Sequence, residues 1–228
     1  MKINTIDRSA IQIKIICLSL IICFSSSETN LQREIFMDGS TVICTICRRR
    51  EAFFVRPYSG ERLCRRCFAE SVEEKVRGTV AKYQMLDFDD RIAVAVSGGK
   101  DSVSLLRILA KMERNYPKAS LVAVTVDEGI KGYRDEALRI AAENCQKLDV
   151  EHHVTSFKEL YGYTLDEIVK RLKRRGDSKA TPCAYCGVLR RRALNIAARK
   201  LRADKIATAH TLDDETQTIL LNIFHGDV

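Results

Sequence analysis

From residue 87 onward, short continuous apolar runs alternate with longer segments in which apolar residues recur every three or four positions. The short runs, which are typical of strands buried on both faces of a parallel sheet, cover residues 92–96, 121–126 and 206–209, and a weaker strand signal covers residues 151–155. The longer segments predict amphipathic helices over residues 101–112, 133–148, 165–174 and 185–201. Strands that alternate with helices require right-handed crossovers, so the sequence predicts an α/β fold with a doubly wound parallel sheet. Ligands of such sheets bind at the carboxyl ends of the strands.

A different pattern precedes this domain. The segment 44–67 is rich in turn residues and arginine, and it contains two CxxC pairs, Cys44/Cys47 and Cys64/Cys67. Two such pairs about sixteen residues apart are typical of a tetrahedral zinc site that folds a small ribbon. A helical pattern follows, with one apolar stripe of Phe68, Val72, Val76 and Val80. We therefore expect a zinc ribbon and a connecting helix over residues 37–86, before the sheet domain of residues 87–228.

The first 36 residues fit neither pattern. Three basic residues precede an uncharged run over residues 15–24 and three serines, which is the outline of a secretory signal. The run is too short to span a bilayer as a helix. CxxC pairs indicate a reducing compartment, so we interpret residues 1–36 as an extension from an upstream start codon, with a signal peptide as the alternative. We expect a cytoplasmic protein without a membrane partner.

The net charge of +8 favours a polyanionic partner such as nucleic acid. Basic residues crowd a third CxxC pair, Cys183/Cys186; they are Lys170, Arg171, Lys173, Arg174, Arg175, Lys179, Arg190, Arg191, Arg192, Arg199 and Arg202. On the predicted helix after Cys186, the apolar face places Arg191, Arg199 and Arg202 on the opposite side. This basic strip could hold an RNA backbone, and a solvated helix face is the alternative.

The strongest local signal is a glycine-rich loop between the first predicted strand and the following helix. Its residues are Ser97, Gly98, Gly99, Lys100, Asp101 and Ser102. The glycines allow a tight turn whose N–H groups face a phosphate, and the new helix adds its positive end. Lys100 can neutralise phosphate charge, while Ser97 and Ser102 can donate hydroxyl hydrogen bonds. The spacing differs from GxxxxGK[ST], and an ordinary glycine turn that caps a helix is the alternative.

Three later motifs make a resemblance specific. They are Asp127-Glu128-Gly129-Ile130 after the second strand, Pro182-Cys183-Ala184-Tyr185-Cys186-Gly187 at a helix start, and His210-Thr211-Leu212-Asp213-Asp214-Glu215-Thr216 after a later strand. The loop resembles the PP-loop of the ATP pyrophosphatases, whose fold is like that of the adenine nucleotide alpha hydrolases. With the N-terminal CxxC pairs, the motifs resemble the tRNA 2-thiouridine synthetases of the TtuA type and the related wobble-uridine thiolases, over about residues 40–228.

The resemblance implies an enzyme that adenylates the C2 oxygen of a tRNA uridine and replaces it with sulfur. ATP and Mg²⁺ would lie on the SGGKDS loop with Asp127 and His210, and the catalytic residues would be Lys100, Asp101, Asp213, Cys183 and Cys186. The expected partners are tRNA and a ubiquitin-like sulfur carrier, and the resemblance leaves a homodimer open. In the family, Cys183 and Cys186 would share an iron–sulfur cluster (4Fe-4S) with a third cysteine. The printed sequence has no cysteine after Cys186, so we expect a C-terminally truncated chain whose cluster ligand set is incomplete.

Several alternatives stay open. The pair Cys183/Cys186 could carry a persulfide, or it could be a zinc-binding or redox motif. Thr211 or Asp213 could simply cap the last helix. The whole chain could be another PP-loop ligase of the lysidine synthetase kind, or a non-catalytic zinc-containing RNA-binding protein. We expect structural roles for His152 and His153, which point to opposite faces of a strand, and a core position for Cys145.

Overall fold

The computed structural model of the chain describes residues 15–17, 42–132, 134–174 and 182–226. The chain divides into a sheet unit, residues 1–17 and 85–209, and a ribbon unit, residues 18–84 and 210–228. The predictions for the rest of residues 1–36, and for Arg175 and Lys179 of the basic strip, lie outside the described residues.

Strands and helices follow one another in nearly the predicted order. The strands are β1 (Ile15–Cys17), β2 (Phe54–Val55), β3 (Arg62–Leu63), β4 (Arg91–Ala95), β5 (Ser120–Asp127), β6 (Glu151–Ser156) and β7 (Lys205–Thr208). The helices are α1 (Arg65–Lys82), α2 (Lys100–Glu113), α3 (Arg134–Leu148), α4 (Phe157–Tyr161), α5 (Leu165–Arg174), α6 (Pro182–Lys200) and α7 (Leu212–His225).

The sheet unit is built on five parallel strands in the order β1-β7-β4-β5-β6. The chain runs outward from β4 to β6 and then returns to β7 on the other side of β4. This reversal confirms the predicted doubly wound α/β fold. It also creates a crevice at the carboxyl ends of the central strands, where such folds bind ligands.

The core of the sheet unit lies between the central strands and α6. Ala93, Val122 and Val124 of the sheet pack with Ala197 and Ala198 of the helix. The alanines let the helix backbone approach the sheet closely, because they add little volume between the two layers.

Three details differ from the sequence prediction. Residues 15–17, which lie in the segment that we interpret as an extension, form strand β1 and pair with β7. Helix α4 was not predicted, because five residues are too few to show a helical period. On α3, Arg134 is buried, whereas the amphipathic pattern predicts that charged residues of the helix lie at the surface. Cys145 is in the core as predicted, and burial raises the pKa of its thiol to about 11.

The ribbon unit begins with a small antiparallel pair, β2 and β3, followed directly by α1. Its buried cluster combines Phe54 and Leu63 with three cysteines, Cys44, Cys64 and Cys67. Val76 and Val80 are buried along α1, as the apolar stripe predicts. Within the described part of the chain, no helix is both long enough and apolar enough to cross a membrane.

Candidate functional site

Four cysteine sulfurs of the ribbon unit converge, as the CxxC spacing predicts. The sulfurs of Cys44, Cys47, Cys64 and Cys67 all lie within 4.8 Å of one another. Cys47 Sγ and Cys64 Sγ are 3.8 Å apart, close to the edge of a tetrahedron with metal–sulfur bonds of about 2.3 Å. The donor set therefore fits a tetrahedral metal ion.

The pKa values of these thiols also indicate that the cluster needs a bound cation to ionise fully. Burial opposes ionisation of Cys44, but backbone N–H groups of Cys47, Cys64 and Ile46 outweigh it and lower the pKa of Cys44 to about 6. Burial and the neighbouring cysteines raise the pKa of Cys67 to about 12. Four thiolates at this spacing repel one another, so full ionisation of the cluster requires a bound cation.

The SGGKDS loop joins β4 to α2 in the sheet unit. Gly98 has φ +83°, and a Cβ placed there would lie 2.3 Å from the backbone oxygen of Ala137. The loop is closed by its own serines, since Ser102 Oγ donates to the Gly99 carbonyl at 2.9 Å and accepts from Ser97 N at 3.1 Å. A glycine is therefore required at position 98. The Ser102 hydroxyl, which we predict to face phosphate, forms its hydrogen bonds within the loop.

Lys100 and Asp101 form an ion pair of 2.8 Å at the start of α2. Their side chains are 83% and 45% exposed, so water screens the pair and its net stability is about 1 kcal/mol or less. Little free energy therefore holds Lys100 on Asp101, and the ammonium group can turn toward a phosphate.

Asp127 ends β5, next to the strand that carries the loop. Its Oδ1 accepts the backbone N–H of Gly129 at 2.8 Å, which folds the following turn back on the strand. A Cβ on Gly129 would meet the Thr164 side chain at 2.6 Å, and Leu165 N donates to the Glu128 carbonyl at 2.8 Å. The turn after β5 is thus packed against the start of α5.

A cleft of about 640 Å³ lies beside this turn. Its lining includes both cysteines of the third CxxC pair, with Ile130, Lys170 and Arg190. Cys183 is exposed, whereas Cys186 is buried. The Arg190 guanidinium donates to Cys186 Sγ at 3.3 Å, so a cation faces the buried sulfur.

Glu128 anchors that arginine, although we assigned it no role from the sequence. Its carboxylate is fully buried and forms close ion pairs with Arg134 and, at 2.6 Å, with Arg190. The geometry of these pairs is not that of well-aligned hydrogen bonds. Burial opposes the charge of Arg190, but the attraction of Glu128 and Cys186 raises the pKa of the guanidinium. Arg134 also donates to the carbonyl of Val126 at the end of β5. The signal available in the sequence was an acidic residue directly after a buried strand.

The other predicted basic residues divide into two groups. Arg171 lies over the ring of Tyr163 at 3.7 Å, and Lys170 borders the cleft. Arg191, Arg199 and Arg202 are exposed, as the periodicity of α6 predicts. Arg190 is 47% exposed, and its guanidinium forms an ion pair with the buried carboxylate of Glu128.

His210 and Asp213 belong to the ribbon unit. Thr211 caps α7 and forms a capping box with Asp214, whose carboxylate accepts from Thr211 N at 2.8 Å. His210 Nδ1 is 3.6 Å from Glu215, and Asp213 is exposed. The capping alternative therefore applies to Thr211 and Asp214, and the roles of His210 and Asp213 stay predictions.

His152 forms a buried polar contact on β6, consistent with a structural role. Its Nε2 is 2.8 Å from the hydroxyl of Thr125, which donates to the Val96 carbonyl at 2.8 Å. Since Thr125 has one hydroxyl proton, the imidazole N–H is the donor to Thr125. Burial, with a smaller effect of His153, lowers the pKa of His152.

Comparisons with known proteins agree with this geometry. Cytoplasmic tRNA 2-thiolation protein 1 of Chlamydomonas reinhardtii is 41% identical over 82% of this chain and 51% of its own length. The protein of the same name from Laccaria bicolor is 38% identical over 81% of this chain and 51% of its own length. The structure of U34-tRNA thiolase NcsA from Methanococcus maripaludis with its [4Fe-4S] cluster has a TM-score of 0.71 and 33% identity, over 82% of this chain and 59% of that chain.

The chain spans about half the length of the curated relatives it matches. Residues 69–228, which include all the motifs of the sheet unit, match the PP-loop domain family. From the SGGKDS loop, the parallel sheet and this match, we conclude that the chain belongs to the PP-loop domain family.

Proposed function

We propose that this chain is an ATP-dependent tRNA sulfurtransferase, which adenylates the C2 oxygen of a uridine and replaces that oxygen with sulfur. The observation that carries the proposal is the cleft in which Cys183 and Cys186 lie, within the same unit as the SGGKDS loop. A lysidine-type ligase of the same family would have no use for two thiols there. The similar proteins are named for tRNA thiolation, and those names also support a cytoplasmic location.

The loop would bind ATP through its backbone N–H groups and the positive end of α2. Lys100 would leave its exposed ion pair and contact the phosphates. Asp101 and Asp127 follow neighbouring strands, and carboxylates of this kind suit Mg²⁺. The uridine C2 oxygen would attack the α-phosphorus, the bond to the β-phosphate would break, and pyrophosphate would leave. The product is an adenylated base with AMP as a good leaving group.

Sulfur would then attack C2, and the bond between C2 and the AMP oxygen would break. Cys183 and Cys186 supply two thiolates at the cleft, which fit two ligand positions of an iron–sulfur cluster. When bound, the cluster would supply soft metal ions that hold sulfur. The role of Arg190, fixed by Glu128, is to hold the Cys186 sulfur in place through its hydrogen bond. A ubiquitin-like sulfur carrier would deliver the sulfur at the oxidation level of sulfide, so that no reductant is needed. The alternative carrier is a persulfide on Cys183 or Cys186. Release of its outer sulfur to C2 would leave a Cys183–Cys186 disulfide, which an external thiol would have to reduce.

The four ribbon cysteines would hold a structural Zn²⁺, because all four ligands are protein thiolates and leave no open position. The tRNA would be held at the sheet unit by exposed cations. Lys170 borders the cleft, and Arg171 with Tyr163 presents a cation stacked on an aromatic ring.

The two half-reactions can be measured separately. Purified protein with ATP, Mg²⁺ and tRNA should release pyrophosphate. Because Cys183 and Cys186 are only two of the three cysteine ligands expected for the cluster, addition of sulfide should yield 2-thiouridine, detected by mass spectrometry of digested tRNA, only when the protein also carries a third cysteine ligand. Cys183→Ser and Cys186→Ser should keep pyrophosphate release and lose 2-thiouridine. Cys145→Ala, which changes a core cysteine away from the cleft lining, should keep both. Pyrophosphate release with no thiolated nucleoside, even in a protein that carries the third cysteine ligand, would favour the lysidine-type alternative.

A further inference from the structure

The ribbon unit presents an aromatic ring to solvent. Phe53 is 43% exposed, whereas the adjacent Phe54 is buried. The Phe53 ring is held by an edge contact with Phe68, at 5.7 Å between centroids and 87° between planes, and by a tilted contact with Phe54 at 6.2 Å. These contacts fix the ring, so it loses little conformational entropy when a ligand stacks on it.

This ring lies in a cleft of about 660 Å³. The lining also contains three arginines, Arg50, Arg65 and Arg66, and one carboxylate, that of Glu51. The Arg65 guanidinium lies over the Phe53 ring, 5.7 Å from its centroid, while Arg66 is paired with Glu70 at 2.7 Å. Arg50 and Arg65 are exposed. The cleft therefore combines a fixed aromatic face with cations beside it.

The charge of the ribbon suits an anionic ligand. Residues 42–68 contain seven arginines and two glutamates, a net charge of +5. A zinc ion with four thiolates would contribute −2, which leaves +3. A second exposed aromatic residue, Tyr58, also lies beside cations. The Arg56 guanidinium is 5.6 Å and the Lys75 ammonium group 5.5 Å from the centroid of the Tyr58 ring.

We infer that the cleft at Phe53 binds an unpaired nucleobase of single-stranded RNA. The base stacks on the Phe53 ring, Arg65 contacts the base, and Arg50 contacts the adjoining phosphate. An acidic peptide would use the arginines but would gain nothing from an exposed aromatic face, whereas RNA-binding surfaces combine both features. This site does not depend on adenylation or on sulfur transfer, and it goes beyond the proposed function.

The test uses the zinc-loaded full chain and a single-stranded oligouridine of ten nucleotides. Phe53→Leu keeps apolar volume but removes the π face, and loss of one stacked base should weaken binding about 5- to 140-fold. Phe53→Tyr should bind like the wild type. Phe53→Leu should leave the dependence on salt unchanged, whereas Arg50→Gln should reduce the salt slope by about one phosphate contact.

Because the sheet unit has basic residues of its own, the contact must be located. Ultraviolet cross-linking followed by peptide mass spectrometry should place a uridine on the segment 50–66. On the unmutated protein, a 2-aminopurine in the oligonucleotide should be quenched by stacking, which keeps the test valid if Phe53→Leu loses zinc. Arg77→Gln removes one charge from an exposed position of α1 outside the cleft lining and should leave the 2-aminopurine signal unchanged.

Three results would overturn the inference. They are wild-type affinity in a folded, zinc-loaded Phe53→Leu protein, the absence of any cross-link within the segment 50–66, and binding of polyglutamate as tight as that of oligouridine. A duplex RNA of the same charge should bind more weakly than the single strand, since its bases cannot reach the ring. Equal binding of the duplex would mean that only the backbone is recognised and would also overturn the inference.

Discussion

Glu128→Gln should destabilise the sheet unit strongly although the two side chains have nearly the same shape. The substitution leaves the guanidinium of Arg134, only 9% exposed, without its buried counter-charge. Removing one partner of a buried ion pair costs about 3–5 kcal/mol. Arg190 is 47% exposed, so water screens its part of the loss, to about 1 kcal/mol or less. The total of about 3–6 kcal/mol should lower the melting temperature by about 6–24 °C.

Thermal unfolding followed by circular dichroism measures this effect, and urea unfolding checks the free energy. Glu143→Gln is the matched control, because Glu143 also pairs with an arginine, Arg139, but on the exposed surface of α3. That control should lose about 0.5 kcal/mol or less. A Glu128→Gln protein as stable as the Glu143→Gln protein would refute the reasoning that the buried carboxylate holds two arginines.

Four further outcomes are expected. Lys100→Ala should abolish ATP-dependent pyrophosphate release without changing the melting temperature, because its side chain is exposed. Cys44→Ser should abolish binding of the one expected zinc equivalent, measured by metal analysis, and unfold the ribbon without abolishing ATP binding. Gly98→Ala should cost clearly more stability than Gly132→Ala, where a Cβ meets open space and the positive φ alone costs about 1–2 kcal/mol. Stability should fall as the pH drops from about 7.5 to 5, because the unfolded chain protonates His152 more readily than the fold does, and His152→Gln should flatten this dependence in urea titrations.

The sequence could predict the parts of the structure that depend on local patterns. Buried strands β4 and β5 are continuous apolar runs, so their positions were predicted to within a residue or two. The convergence of four ribbon sulfurs followed from CxxC spacing. The SGGKDS loop could be located in the same way, because its glycines lie between the apolar run of β4 and the helical period of α2.

Contacts between distant residues could not be predicted in this way. Glu128 pairs with Arg190, which lies far along the chain, and the periodicity of α6 predicts only that Arg190 is not in the core. Arg134 is buried at the first turn of α3 because Glu128 neutralises it, whereas a pattern of apolar residues treats any arginine as a surface residue. The motif does not show whether Asp213 or Asp214 completes the capping box with Thr211, since both lie in the first turn of α7.

Gly98 and Gly129 face different kinds of neighbour, and they should therefore follow different rules during evolution. The obstacle at Gly98 is the backbone of Ala137, which every amino acid shares, so no second substitution at position 137 can compensate for its loss. The obstacle at Gly129 is the side chain of Thr164, which a smaller residue would remove. Among homologues, position 98 should be invariant. Position 129, whose φ of +71° favours glycine or asparagine, should change only together with a smaller residue at position 164.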